Sequence, residues 1–438
     1  MPARTDTTDE LHGERAINDP SADALFDATT KGIPHDAGPL RLSEIGGRGW
    51  NVLRGDCPLP LAVLRTDAMS ANSAWMMAFA REHGLLLAPH GKTTMSPALF
   101  QRQMRDGAWA ITVATAQQLQ VTLRAGVRRI ILANQPMGPA IDACFHALAS
   151  HPGLELYVLA DSLEGVALLA ARAGRVAADT PALRVLVEVG ARGARTGCRD
   201  LKSATVVAEA VASAPGLDLA GVEAFEGVLP DAAAVTDLIA RVAAATRAID
   251  ALGLFAHEIV LSAGGSAFFD LVALGFEAVE LSQPLLRVLR SGCYLTHDHF
   301  GYANDFRRVV REHRVKLPAG SLQPALEVWS YVQSRPDPDK VLLTMGKRDV
   351  GYDTALPQPI AWFRRGAMHE PAALPDGCAI TALNDQHAHL AIPAGAPFAV
   401  GDMIAVGIAH PCTTFERWQL LMLVDDRMDI VGAVRTCF

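Results

Sequence analysis

From about Leu59 to Tyr294 the chain alternates short β-branched or apolar runs with alanine- and leucine-rich amphipathic stretches, the pattern of repeated βα units. The spacing predicts strands at 61–64, 85–88, 110–113, 129–132, 155–159, 184–189, 219–224, 258–262 and 278–281. Helices such as 116–125 and 204–214 fall between them, with glycines such as Gly126 at the stops. Nine strands are one more than a (β/α)8 barrel uses, and we expect a TIM-type α/β barrel over residues 59–306. Near Phe306 the pattern changes. Residues 307–438 carry alternating β-branched runs with Pro-Asp-Gly and Ala-Gly-Ala-Pro turn signals, which predicts a second, mostly antiparallel β domain. A chain of 438 residues suits two such units. Residues 1–38 are polar and acidic with no apolar secretory core, and are expected to form a mobile extension.

The balance of charge narrows the partners. A formal net charge of -8 argues against nucleic acid and against an anionic membrane surface, both of which call for a basic footprint. No run of 18 apolar residues is present. Seven cysteines, an odd number without tight spacing, predict no disulfide framework, and a reducing cytoplasm is the expected compartment. Six of them read as small buried hydrophobes or incidental residues; Cys412 is set apart by its neighbours.

Three stretches hold residues suited to chemistry. In Leu85-Leu86-Leu87-Ala88-Pro89-His90-Gly91-Lys92, a short buried strand ends just before Lys92, and Ser96-Pro97 then reads as an N-cap with proline opening a helix. Active sites of parallel α/β folds are built on that rim, where a desolvated lysine amine attacks carbonyls. By itself Lys92 fits better a surface lysine capping a strand. Gly264, Gly265 and Ser266 follow a predicted strand, where adjacent glycines let backbone N–H groups approach an anion such as phosphate; the same triplet also fits a plain turn. In His410-Pro411-Cys412, residues two apart on extended chain share a face, so an imidazole and a thiolate can converge on one cation, zinc best of all. Two ligands are fewer than zinc sites ordinarily take from protein.

Pro89-His90-Gly91-Lys92-Thr93, residues 106–115 and Ile131-Leu132-Ala133-Asn134-Gln135 together resemble the D-serine dehydratase and D-threonine aldolase family, pyridoxal-phosphate enzymes with an alanine-racemase-like fold. The resemblance implies that Lys92 carries the cofactor, and that Gly264, Gly265 and Ser266, with backbone groups of Gly292 and Cys293, meet its phosphate. It further implies that Arg195 stands near the ring, that His410 and Cys412 hold zinc, and that His387 is a possible further site residue. A strand from residues 39–58, expected at about 39–53, should complete the β domain, and the protein should be a homodimer. Family dehydratases place His-x-Cys on zinc and the aldolases tend to His-x-Asp. Cys412 thus points to dehydration of D-3-hydroxy amino acids such as D-serine, D-threonine or D-phenylserine to a 2-oxo acid and ammonia. The alternatives are retro-aldol cleavage to glycine and an aldehyde, a non-catalytic pyridoxal-phosphate-binding protein, and racemisation. Ala88, Thr94 and Phe225 depart from the arginine, histidine and tyrosine frequent at these places in the family.

Overall fold

The structure is a computed structural model that describes residues 24–438; residues 1–23 of the expected extension lie outside it. Residues 24–38 do not form a loose tail. Phe26 and Ile33 are buried in the β-domain core, and Lys31 Nζ bonds Asp349 Oδ1 at 2.9 Å while lying 4.3 Å above the Trp418 ring. Strands β1 (Leu25–Phe26) and β2 (Leu40–Arg41) pair as a small ribbon.

β3 (Leu61–Arg65), the first predicted barrel strand, belongs instead to the β domain. Leu61, Ala62, Val63 and Leu64 are all buried, and a strand covered on both faces has the same apolar signature in either domain. It fills the place expected of residues 39–53, which form β2 and a 3-10 helix, Leu42–Arg48, with the Glu44 carboxylate accepting the Arg41 N–H at 2.7 Å.

The barrel strands are β4 (Leu86–Leu87), β5 (Ile111–Val113), β6 (Arg129–Leu132), β7 (Glu155–Ala160), β8 (Leu183–Glu188), β9 (Leu217–Ala224), β10 (Ile259–Ala263) and β11 (Leu285–Leu289). All pair in parallel in the order β4-β11-β10-β9-β8-β7-β6-β5. The ring closes between its end strands, where Trp109 N–H donates to Leu87 O at 2.7 Å and Thr112 N–H to Pro89 O at 2.8 Å. Residues 278–281 are not a strand. They leave the helix Phe269–Glu277, and the Arg287 guanidinium takes the carbonyl of Val279, which a strand would have offered to a neighbour, together with that of Phe276 at the helix end.

Helices follow the strands because capping residues stand at their starts. Side-chain oxygens of Thr115, Ser162, Asp200 and Asp231 each accept the N–H three residues on, an arrangement worth about 1 kcal/mol apiece. Ser96 does not do this. Pro97 opens the helix Pro97–Arg105 as predicted, but the Ser96 hydroxyl is buried without a partner among the described residues. Ala88, Ala110, Ile131, Tyr157, Leu186, Val260 and Val288 cluster in the barrel interior, which is a packed core and not a pore.

The β domain contains β12 (Leu326–Asp337), β13 (Lys340–Leu343), β14 (Gln358–Phe363), β15 (Ala379–Leu383), β16 (Ala388–Ala391), β17 (Met403–Gly407), β18 (Leu420–Val424) and β19 (Ile430–Arg435). β12 is its hub, antiparallel to β3, β13 and β17. β17 runs to the barrel rim, where His299 N–H donates to Ile408 O at 3.1 Å, and the short helix Pro411–Phe415 follows. Among the described residues no helix is long and apolar enough to cross a membrane.

Candidate active site

Lys92 stands in the 3-10 turn Gly91–Thr93 that follows β4 at the C-terminal rim of the barrel. Two adjoining lobes of a hollow, about 220 and 260 Å³, share Lys92, His90, Phe225 and Arg290 in their walls. The first also takes in Gly264, Gly265, Ser266, Gly292, Cys293, Tyr302, His410 and Cys412, the second Glu188, Arg195 and Glu223. Every predicted site residue but one therefore meets here. The exception, His387, lies in the turn between β15 and β16, where its carbonyl accepts the Asn384 N–H at 2.8 Å, and lines neither lobe. A larger hollow of about 560 Å³ lies where strands begin, lined by Trp109, Arg129 and Glu155; there the arginine and glutamate pair with each other at 2.5 Å.

The β domain supplies one wall. Gly351 N–H donates to Thr414 Oγ1 at 2.9 Å and pins the helix Pro411–Phe415 beneath its own loop. The same loop carries Asp353, whose Oδ2 takes His410 Nδ1 at 2.6 Å while its Oδ1 accepts the Thr413 hydroxyl at 2.7 Å. Burial works against this carboxylate, yet the Thr413 and His410 hydrogen bonds hold it below its ordinary range. With Nδ1 so engaged, Nε2 is the His410 nitrogen left to ligate. Cys412 Sγ lies 3.5 Å from Thr93 Oγ1 and 3.9 Å from Cys293 Sγ. The Cys293 thiol, then Thr93 and the charge of Lys92, outweigh burial and bring Cys412 down to about 7, while Cys293 is pushed up.

The barrel supplies buried charge. Arg290 is 2% exposed; Nη1 donates to Ser262 Oγ and Nη2 to Ala224 O, both at 3.0 Å. Nη2 also lies 2.5 Å from Glu223 Oε2, but at an angle too poor for a hydrogen bond, so both Glu223 oxygens lack a proper donor. Burial raises Glu223 to about 7 against the pull of Arg290. A carboxyl raised above its unfolded value contributes stability that is complete below the unfolded pKa and is lost as pH rises through the folded one. The cofactor-free protein should therefore lose melting temperature as pH rises from about 5 to 8, and Glu223→Gln should flatten that slope; equal slopes for both proteins would refute it. His90, half-buried in the hollow's wall, is held well below its ordinary value by desolvation and then by Lys92.

The glycine pair departs from expectation. Glu226, buried after β9, accepts Gly264 N–H at 3.1 Å and Gly265 N–H at 2.7 Å. The loop is anion-receptive as predicted, but an internal carboxylate takes these two donors. Gly264 is needed for a second reason: a Cβ there would sit 2.3 Å from the Arg290 Cβ. Ser266 remains at the hollow's edge, its Oγ accepting the Cys293 N–H at 3.2 Å.

Both implied groups fit these residues. Four buried polar atoms without hydrogen-bond partners, His90 Nδ1, Glu223 Oε1 and Oε2 and Arg290 Nε, belong to side chains lining the lobe beside Lys92, as expected where a polar ring is to be held. For a metal, imidazole and thiolate are the donors zinc prefers, and the Asp353–His410 contact is the usual support of a ligating histidine. Among the described residues, no three His, Cys, Asp or Glu side chains already surround one point.

Several of these residues escaped the motifs. Glu223 had a signal, a carboxylate ending the apolar run of β9. Asp353 had none, since only folding brings it to His410. Cys293 was assigned through its backbone, and its side chain is not incidental but faces Cys412.

The fold and the hollow define a class: a parallel α/β barrel with a lysine on its C-terminal rim, walled by an antiparallel β domain that delivers a His-x-Cys pair. Residues 325–424 match the family model described as a putative serine dehydratase domain. The D-threonine aldolase of Arthrobacter sp is 27% identical over 376 residues, covering 84% of this chain and 89% of that protein. The 3-hydroxy-D-aspartate aldolase of Paracoccus denitrificans (strain Pd 1222) is 25% identical over 308 residues, covering 68% and 74%. The crystal structure of D-threonine aldolase from Filomicrobium marinum has the same fold, with a TM-score of 0.71 at 22% identity over 87% of this chain and 95% of that one. The resemblance to the D-serine dehydratase and D-threonine aldolase family is borne out.

Proposed function

We propose that this protein is a pyridoxal-phosphate- and zinc-dependent dehydratase that converts D-3-hydroxy amino acids such as D-serine, D-threonine or D-phenylserine to a 2-oxo acid and ammonia. The coarser assignment, a lyase of D-3-hydroxy amino acids, rests on the activities its relatives are named for. The observation that carries the proposal is the convergence of Lys92 with His410 and Cys412, from opposite ends of the chain, on one hollow. When bound, pyridoxal phosphate supplies an electron sink for Cα and zinc a Lewis acid for the β-oxygen. Lys92 anchors the cofactor, and its amine, once free, takes the proton from the substrate Cα. Arg195, whose guanidinium lies 4.7 Å over the Phe225 ring, presents positive charge to the second lobe. His410 and Cys412 hold the metal, with Asp353 fixing the imidazole.

Asp353→Asn should weaken zinc binding about 10- to 100-fold in competition with a chromogenic chelator. Unchanged affinity would remove Asp353 from the metal's support. The names of the two curated relatives favour a second reading, retro-aldol cleavage by the same residues. One panel decides between them: D-serine, D-threonine, D-phenylserine and 3-hydroxy-D-aspartate are each incubated with protein of known zinc content. Ammonia with 2-oxo acid supports dehydration; glycine with aldehyde replaces it by aldol cleavage. Bound cofactor with no product, with or without zinc, would mean a binding protein. A homodimer is part of the proposal, and sedimentation tests it.

A further inference from the structure

We infer that Cys293 is a third protein ligand of the zinc held by His410 and Cys412, making the centre a two-sulfur, one-nitrogen site. The inference rests on the proposed reading of those two residues. Its carrier is the spacing of the sulfurs, 3.9 Å. Two thiolates about 2.3 Å from one tetrahedral zinc stand about 3.8 Å apart, so the pair already spans one edge of a coordination tetrahedron. The same distance admits an S–H···S contact, which is how a metal-free pair would share its proton. Position favours the ligand. Both cysteines line the lobe that His410 lines, and the Thr93 hydroxyl lies 3.5 Å from one sulfur and 3.7 Å from the other. Cys293 is 5% exposed and follows Gly292, which a Cβ would drive to 2.6 Å from the His90 carbonyl oxygen, so its backbone has little room to move away. Since no three ligands already surround one point, the site closes by rotation of the His410 or Cys293 side chain.

The third ligand has chemical consequences. Two thiolates cancel the charge of a divalent ion, whereas one leaves a net positive centre; the two-sulfur set is therefore the milder Lewis acid. It selects zinc over magnesium, calcium or manganese, and leaves one position open, as catalytic zinc sites with three protein ligands do.

The test uses full-length wild type, Cys293→Ser, Cys412→Ser and His410→Ala, stripped of metal and titrated with Co²⁺ and Zn²⁺ without substrate. Thiolate-to-cobalt charge-transfer absorbance should fall to about half of wild type in each cysteine variant and persist in His410→Ala, since a two-thiolate centre loses one of two sulfurs. Zinc affinity should fall at least about tenfold in Cys293→Ser. If that variant keeps full absorbance and affinity while Cys412→Ser loses both, Cys293 is no ligand and the His410–Cys412 reading stands. If wild type binds neither ion, both readings fall. Should Cys293→Ser not fold, X-ray absorption of zinc-loaded wild type decides: two sulfurs support the inference and one overturns it.

Discussion

Lys92→Ala is expected to lower kcat/KM on any accepted D-3-hydroxy amino acid by about 10⁴-fold or more, and to leave no cofactor fixed by borohydride. Lys92 is the only lysine among the described residues lining either lobe, so no second amine can take its place. Positioned proton transfer alone is worth about 10²–10⁴-fold, and in the proposed function the same nitrogen also anchors the cofactor, so the two losses should compound. Lys92→Arg separates them from the loss of charge, because a guanidinium keeps the charge but neither condenses with a carbonyl nor accepts the α-proton. Mass spectrometry after reduction reads the anchoring and steady-state kinetics the proton transfer. Cofactor still fixed by borohydride on the alanine variant would end the assignment.

The largest effect on stability is expected from Arg290→Met, a loss of about 3–5 kcal/mol in the cofactor-free protein. The guanidinium is packed against Gly264, donates to Ser262 Oγ and the Ala224 carbonyl, and is set beside Glu223 with both side chains buried. Removing it leaves the buried Glu223 carboxyl without its cation, to be neutralised or kept charged inside the barrel, which costs more than the pair gains over an apolar replacement. Arg290→Met combined with Glu223→Leu should therefore recover much of the loss. Thermal or urea unfolding measures both. A single variant as stable as wild type, or a double variant no better than the single, would show that the pair does not bear on the barrel's stability.

Arg290 also marks where linear reading stops. It stands two residues before Gly292 in the chain, but its partner Glu223 comes from another strand, and the two meet only because β9 and β11 flank β10. The loop at Gly264 shows the same limit: adjacent glycines signalled bound anion, yet nothing nearby announced that Glu226 would supply it. β3 erred in the other direction. Its apolar run was read correctly as a buried strand, and only pairing, to β12 and β18, assigns it to a sheet.

The sequence by itself determined the alternation of strand and helix, the change to a β domain, the lysine placed just past a strand and the His-x-Cys pair, because each is written in the periodicity or chemistry of a few neighbouring residues. Tertiary structure alone decided which strands joined which sheet, that Asp353 would support His410, that Cys293 would face Cys412, and that Glu223 and Arg290 would share one buried space. Those relations depend on the closure of the barrel and the folding and docking of the second domain, which join residues tens to hundreds of positions apart that no local pattern links.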